Sequence, residues 1–255
     1  MLVHGADRSL KGKLRRRIAR LQARRTAPRG PGRPMVSISF DDAPVSAATT
    51  GAAILEARGL RGTYFISMGL AGQAGPMGDN ADGDQVRALA EAGHEIGCHT
   101  FSHLDCGQAP AGLATGDVER NLQALAELGA PEPSSFAYPY GEVSAPAKAA
   151  LGARYGILRA LHHGLVGRGS DLNQAPAVGI EGRDGEATAR RWLKRALAER
   201  AWLILYTHDI RGEPSPFGCT PGALERLLDE AMAGGAQVVT VAEGRRRLGM
   251  GGTGA

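Results

Sequence analysis

The feature that most constrains this chain is its alternation, from Met35 onward, of short apolar runs with helical stretches closed by glycine. Met35-Val-Ser-Ile-Ser-Phe40 alternates apolar with small polar residues, the pattern of a buried strand, and runs directly into two acids. Residues 47–58 are Ala-rich and read as a helix capped by Gly59, and residues 62–66 form a second strand. A helix over 84–92, stopped by Gly93, precedes the strand His94-Glu-Ile-Gly-Cys98. A third helix covers 117–128, with strands at 134–138, 155–158 and 177–180 behind it. A long helix over 186–200 leads to 201–206, the most apolar strand of the chain. A helix at 221–233 and a strand at 236–241 complete the series. Strand–helix units of this length predict an α/β fold on a parallel sheet, open or closed into a barrel. In either form the chemistry belongs at the carboxyl ends of the strands.

At 255 residues, 43% hydrophobic and 22% charged, the chain can bury a core without disulfides, which excludes wholesale disorder. It has no run of apolar residues long enough to span a bilayer, and no apolar segment behind its charged start to act as a secretory signal. Three cysteines, Cys98, Cys106 and Cys219, are an odd count that argues for reduced thiols and a cytoplasmic location. Cys98 adjoins His99, but neighbours on a strand face opposite ways, so core packing is expected of it.

The net charge of +4 conceals an asymmetry. Residues 1–34 hold eleven Lys/Arg against the single acid Asp7, leaving 19 bases and 25 acids, a net of −6, for the rest. Within this arm Leu10, Leu14, Ile18 and Leu21 form one apolar stripe on an otherwise basic helix. The stripe could pack onto the body, or residues 8–25 could lie on an anionic membrane surface. Nucleic acid is a weaker third option, since no reading motif or aromatic platform accompanies the charge. Residues 26–34, rich in Pro and Gly, read as a linker, and the Gly-rich residues 249–255 as a flexible tail. The catalytic domain is thus expected over 35–248.

The side chains at the strand ends decide the chemistry. Asp41 and Asp42 come directly after the first strand, and His99 and His103 after the third. Tyr138-Pro-Tyr-Gly141 and His208-Asp209 come after two others. Adjacent carboxylates repel, and a cation relieves that repulsion, so one could bind metal while the other takes protons. His99 and His103, at i and i+4, reach one ion if the segment is a helical turn. The zinc-protease pattern H-E-x-x-H is not met, because His94 and His99 are five apart on a strand. His162-His163 reads as a loop feature.

Taken in order, Ser39-Phe-Asp-Asp42, His99-Thr-Phe-Ser-His103, Phe136-Ala-Tyr-Pro-Tyr-Gly141 and Leu205-Tyr-Thr-His208-Asp209 resemble the polysaccharide deacetylases. These are the NodB-homology proteins of carbohydrate esterase family 4, and the likeness runs over roughly residues 35–243. It implies a distorted (β/α) barrel of about seven strands, to which the basic helical arm is appended. It implies N-deacetylation of an N-acetylhexosamine-containing polysaccharide by a metal-bound water. Asp42, His99 and His103 would hold a divalent metal, most often Zn2+. Asp41 would be the general base and His208 the general acid. The backbone N–H of Tyr140, after Pro139, would face the oxyanion. The missing signal and the basic arm are similar to the holdfast adhesin type of the family, which points to an exopolysaccharide, lipid-linked at the inner membrane.

The sequence departs from the family pattern in four places. Ala137 stands where an Arg usually orients the catalytic Asp, so Arg159 or Arg168 must replace it. No Asp-x-x-Asp-Trp lies between residues 150 and 200, which leaves Asp171 as the candidate support for His208. Tyr206 occupies the place of an apolar residue that lines the acetyl pocket, and Ala43 that of a Gly. Two other functions stay open: hydrolysis of a different C–N bond in a small cyclic amide, and a silent carbohydrate-binding or assembly protein. An oligomer is also compatible with the sequence.

Overall fold

The computed structural model describes residues 9–248; Arg8 and the expected tail at 249–255 lie outside them. Eight strands form one sheet: β1 (Met35–Asp41), β2 (Thr63–Ile66), β3 (Glu95–Cys98), β4 (Ser135–Ala137), β5 (Ile157–Arg159), β6 (Val178–Gly179), β7 (Trp202–Thr207) and β8 (Gln237–Val238). They lie in the order β5-β4-β3-β2-β1-β7-β6, with β8 beside the start of β1, and every pairing is parallel. The segment after β5 crosses from one sheet edge to the other: the Ala160 amide bonds to Ala175 and the Ala177 amide to His162. The result is the expected distorted (β/α) barrel.

Both faces of β1 are buried, and its alternation sorts them. Val36, Ile38 and Phe40 face the outer layer, where they meet Leu205 and Leu224. Met35 lies in the barrel interior with Phe65, Ile157, Trp202 and Ile204. The small residues on that side make room for large neighbours, and the Trp202 indole N–H donates to Ser37 Oγ at 2.9 Å. Gly97 serves the same end on β3, since a Cβ there would lie 2.5 Å from the Phe65 ring.

The surrounding helices are α1 (Leu10–Leu21), α2 (Ala52–Glu56, entered through a π-turn at Ala47–Gly51), α3 (Gly83–Glu91), α4 (Ala111–Glu127), α5 (Ala145–Gly152), α6 (Gly185–Glu199), α7 (Pro221–Ala233) and α8 (Val241–Arg247). Three elements differ from the sequence expectation. Helix α4 begins at Ala111 rather than 117, because Pro110 supplies the N-terminal stop that two glycines in the first turns obscure. Helix α5 is short but capped by Ser144, whose side chain accepts from the Ala147 amide. The expected strand at 236–241 shortens to β8, because Thr240 caps α8 instead. The first α8 amides then close the amino end of the barrel: Val241 donates to Thr63 Oγ1 at 2.9 Å and Ala242 to Glu95 Oε2 at 2.8 Å.

The arm is fastened to the barrel. Helix α1 rests on α5 through Gly12 and Ala19, the latter fully buried. The apolar stripe faces outward, with Leu10 82%, Leu14 60%, Ile18 41% and Leu21 72% exposed, so packing of the stripe onto the body is excluded. The expected linker is strapped down as well. The Ala27 amide bonds to Ser170, and the Arg25 guanidinium donates to the carbonyls of Gly152, Tyr155 and Gly156 at the end of α5. All three cysteines are free and buried, and Cys98 packs on the outer side of β3.

Candidate active site

Asp41 continues the interior face of β1, and the chain then leaves the sheet through two consecutive left-handed residues, Asp42 at φ 58° and Ala43 at φ 47°. This reversal explains the preference for glycine at position 43; an alanine there costs about 1 kcal/mol of backbone strain. The Ala43 carbonyl is held by the Ala81 amide at 2.9 Å. The reversal brings Asp42 beside the loop after β3.

His99 and His103 converge through a loop, not the helical turn that their spacing suggests. Thr100 at φ 62° and His103 at φ 55° fold it back. Thr100 Oγ1 accepts from the Leu104 amide at 2.8 Å. Asp117, from α4, accepts from the Phe101 and Ser102 amides and from the Ser102 hydroxyl. Nε2 of His103 and of His99 consequently lie 3.4 and 3.8 Å from Asp42 Oδ1.

These three residues fit a divalent cation. Their donor atoms lie within 4.8 Å of one another. Asp42 Oδ1 is buried and accepts no hydrogen bond, an orphaned acceptor of the kind a cation satisfies. His99 Nδ1 donates to the Ala137 carbonyl at 2.8 Å, which leaves Nε2 as the lone-pair nitrogen. Burial pushes the His99 pKa down to about 4, so the ring is neutral at neutral pH. Burial also raises Asp42, against the pull of His99 and His208.

Asp41 is answered by Arg159. Arg159 Nη2 lies 2.6 Å from both Asp41 carboxylate oxygens, and both side chains are buried. The guanidinium sits against the rings of Phe65 and Tyr206, at 5.1 and 5.3 Å from their centroids. Burial pulls the Asp41 pKa upward, but Arg159, with His99 and His208, outweighs it and holds the carboxyl below its ordinary range. Of the two candidates for the missing arginine, Arg159 fills the role, while Arg168 is exposed and away from the site.

Asp171 does not support His208. It belongs to the arm's anchorage, where it takes the Arg25 amide at 3.0 Å and pairs with Lys148 Nζ at 2.5 Å. The carboxylate beside His208 is Glu181, directly after Ile180 at the end of β6, with Oε2 at 3.7 Å from His208 Nδ1. That nitrogen also lies 3.2 Å from the Phe217 carbonyl. Tyr206 donates its hydroxyl to Glu181 Oε1 at 3.0 Å, so this residue braces Glu181 as well as lining the cleft. Burial raises the Glu181 pKa, with His208 and the Tyr206 hydroxyl acting against it. Glu181 was legible by the rule that found the other residues, an acid at a strand's carboxyl end. Asp209, next to His208, is fully buried and organises the following loop through Ser215 and Arg211.

The cleft over these groups has a volume of about 590 Å³ and is walled by Leu70, Met77, Leu161, Tyr206 and Phe217, with Tyr140 beside His103. Tyr140 takes a left-handed φ of 59° after the buried Pro139. Titratable groups converge beneath a mostly apolar rim, the form expected of a ligand-binding or catalytic cleft.

Comparison with known proteins agrees with this architecture. The sequence profile of the polysaccharide deacetylase family matches residues 29–157, and the chain belongs to that family. A chitin deacetylase of Pestalotiopsis sp is 29% identical over 117 residues, which are 46% of this chain and 37% of that protein. The chain therefore aligns with about a third of that relative's length. A Mycobacterium smegmatis protein described as a polysaccharide deacetylase superposes with a TM-score of 0.67 at 17% identity, over 89% of this chain and 96% of its own. The chitin deacetylase of Colletotrichum lindemuthianum superposes with a TM-score of 0.59 at 18% identity, over 86% and 89%. These likenesses establish the NodB-type barrel. Arg159, Glu181 and His208 lie beyond the residues that the profile matches.

Proposed function

We propose that this chain hydrolyses N-acetyl groups of an N-acetylhexosamine-containing polysaccharide, with a divalent metal, Zn2+ by its donor set, held at Asp42, His99 and His103. The observation that carries this reading is the meeting, in one cleft, of an Asp-His-His donor set, the Arg159-clamped Asp41 and the carboxylate-backed His208. A bound divalent cation supplies Lewis acidity, which acidifies water and draws charge from an acetyl carbonyl.

The chain's own residues supply the proton traffic. Asp41, kept ionised by Arg159, takes a proton from the attacking water. Charge on the former carbonyl oxygen faces the backbone N–H of Tyr140. His208 gives a proton to the amide nitrogen as the C–N bond breaks, and acetate and a free amine leave. Glu181 and the Phe217 carbonyl face Nδ1 of His208 and orient the ring for this step. Tyr206 shapes the wall against the acetyl methyl, and buried Pro139 sets the turn that presents Tyr140.

Within that substrate class we assign an exopolysaccharide of the adhesin type, on the likeness of the basic arm to the holdfast deacetylases. Acetate release tests the reading across N-acetylglucosamine oligomers, acetylated exopolysaccharides and small cyclic amides, with metal content measured alongside. Chelator-sensitive acetate release from the glycans supports it. Release from the cyclic amides alone, or binding without turnover, would replace it.

A further inference from the structure

Helix α1 presents to solvent the face that an isolated amphipathic helix would hide. Its docked side is made of Gly12 and Ala19, and the Ala19 carbonyl accepts from buried Lys148 at 2.6 Å. Arg16 pairs with Glu142 at 2.7 Å on the same side. At about 100° per residue the Leu10, Leu14, Ile18 and Leu21 stripe falls on the opposite side. Exposed Lys11 borders it on one flank and exposed Lys13, Arg17 and Arg20 on the other. No acid occurs anywhere in residues 9–34.

We propose that α1 is an in-plane membrane helix that seats the protein on an anionic lipid surface, with the leucine stripe in the acyl boundary and the flanking cations among the headgroups. Three observations select this occupant. An apolar ridge flanked by cations matches a bilayer's apolar interior and negative headgroups. A second copy joined about a two-fold axis would bring these cations against their own images. Nucleic acid would neutralise the cations and leave the leucines in water. The helix is also held by buried contacts on its inner side, so its stripe is presented rather than collapsed.

The attachment sets the enzyme's orientation. Glu142, the partner of Arg16, is two residues from Tyr140 at the cleft, and Arg20 borders the surface beside His162, next to the cleft residue Leu161. Docking α1 therefore fixes which side of the barrel, the one carrying α5 and Glu142, lies behind the helix at the lipid surface. Among the described residues no helix is long and apolar enough to cross a membrane.

Vesicle flotation of the full chain tests this without reference to catalysis. The full chain is expected to float with phosphatidylglycerol/phosphatidylcholine vesicles, not with pure phosphatidylcholine, and to release in high salt. Leu14→Gln/Ile18→Gln, at exposed positions, is expected to lower binding at least about tenfold with an unchanged melting temperature. Lys13→Gln/Arg17→Gln should do the same, and Leu14→Trp should emit further to the blue on vesicle addition. Equal flotation on neutral lipid, or binding that survives the Leu14/Ile18 change, overturns the proposal. So does a concentration-dependent dimer that the Leu14/Ile18 change dissolves in the absence of vesicle binding.

Discussion

Ala137 and Arg159 are direct partners across the parallel pairing of β4 and β5, and from there Arg159 reaches both oxygens of Asp41. Resemblance to the polysaccharide deacetylases places an arginine at 137. In this chain the guanidinium has moved one strand over at the same height on the barrel. The family's electrostatic arrangement survives a change of residue because parallel register puts the two positions side by side. The swap also brings the guanidinium against Tyr206, whose hydroxyl in turn holds Glu181. One side chain thus connects the surroundings of Asp41 with those of His208.

Arg159→Lys is expected to keep the fold and metal but lower kcat/KM by about one to two orders of magnitude, or about 1.4–2.7 kcal/mol. A lysine ammonium is a compact point charge without the planar face that lies over the Phe65 and Tyr206 rings. The pH profile carries the sign. Arg159 holds Asp41 below its ordinary range, so weakening the pair raises that pKa and moves the acid limb of the rate profile to higher pH. An unmoved acid limb would show that the pair is structural only.

Asp41→Asn is expected to retain metal and lose activity by about 10²–10⁴-fold, the usual worth of a positioned base. It also strands the buried Arg159, so a stability loss of about 3–5 kcal/mol should accompany it. Metal analysis, thermal melting and acetate release on one preparation separate the two effects. Activity within a few-fold of the parent would remove Asp41 from the base's role.

Asp42→Asn and His103→Ala are each expected to empty the metal site and abolish turnover, with far-UV circular dichroism unchanged, since a catalytic site cannot spare one of three ligands. Chelator treatment of the parent should reproduce the loss, and added Zn2+ should reverse it. Full metal occupancy in either variant would show that the donor set is misassigned.

Glu181→Gln is expected to lower kcat about tenfold or more with KM nearly unchanged, because in the proposed mechanism Glu181 acts on the substrate through His208. Tyr206→Phe removes only the hydroxyl that braces Glu181 and should cost less. The reverse ranking, or an effect confined to KM, would make Tyr206 a substrate contact and Glu181 incidental.

Much of this site is legible in the sequence because strand ends in a parallel barrel share one rim. The residues at those ends include Asp41, Asp42, His99, His103 and His208. Tertiary register and loop shape are not legible in the same way. The spacing of His99 and His103 suggests a helical turn, whereas left-handed Thr100 and His103 build a loop that α4's Asp117 stabilises. The exchange of Ala137 for Arg159 depends on which residues pair across β4 and β5, and one sequence does not print that pairing. Glu181 obeys the same strand-end rule, directly after the strand expected at 177–180, but no motif in the sequence links it to His208. The arm misleads in the other direction. An exposed leucine stripe contradicts ordinary burial, and the docking contact runs through Gly12 and Ala19, residues with no apolar bulk to signal it.

Asp171 illustrates how a carboxylate in a plausible interval can serve the fold alone. Its Oδ1 takes the backbone amides of Arg25 and Asn173, and its Oδ2 pairs with Lys148, which also grips the Ala19 carbonyl of α1. Removing the carboxylate leaves a buried ammonium unpaired, a loss of about 3–5 kcal/mol. Asp171→Asn keeps an acceptor for the amides and removes only the charge, so the ion pair is isolated by comparison with Asp171→Ala. Both variants are expected to melt lower, and trypsin should cut within residues 9–25 far faster than in the parent. Acetate release per folded molecule should stay within a few-fold, because no Asp171 contact reaches His208 or Asp41. Loss of kcat in a well-folded Asp171→Asn, with the arm still protease-resistant, would return the residue to the catalytic side.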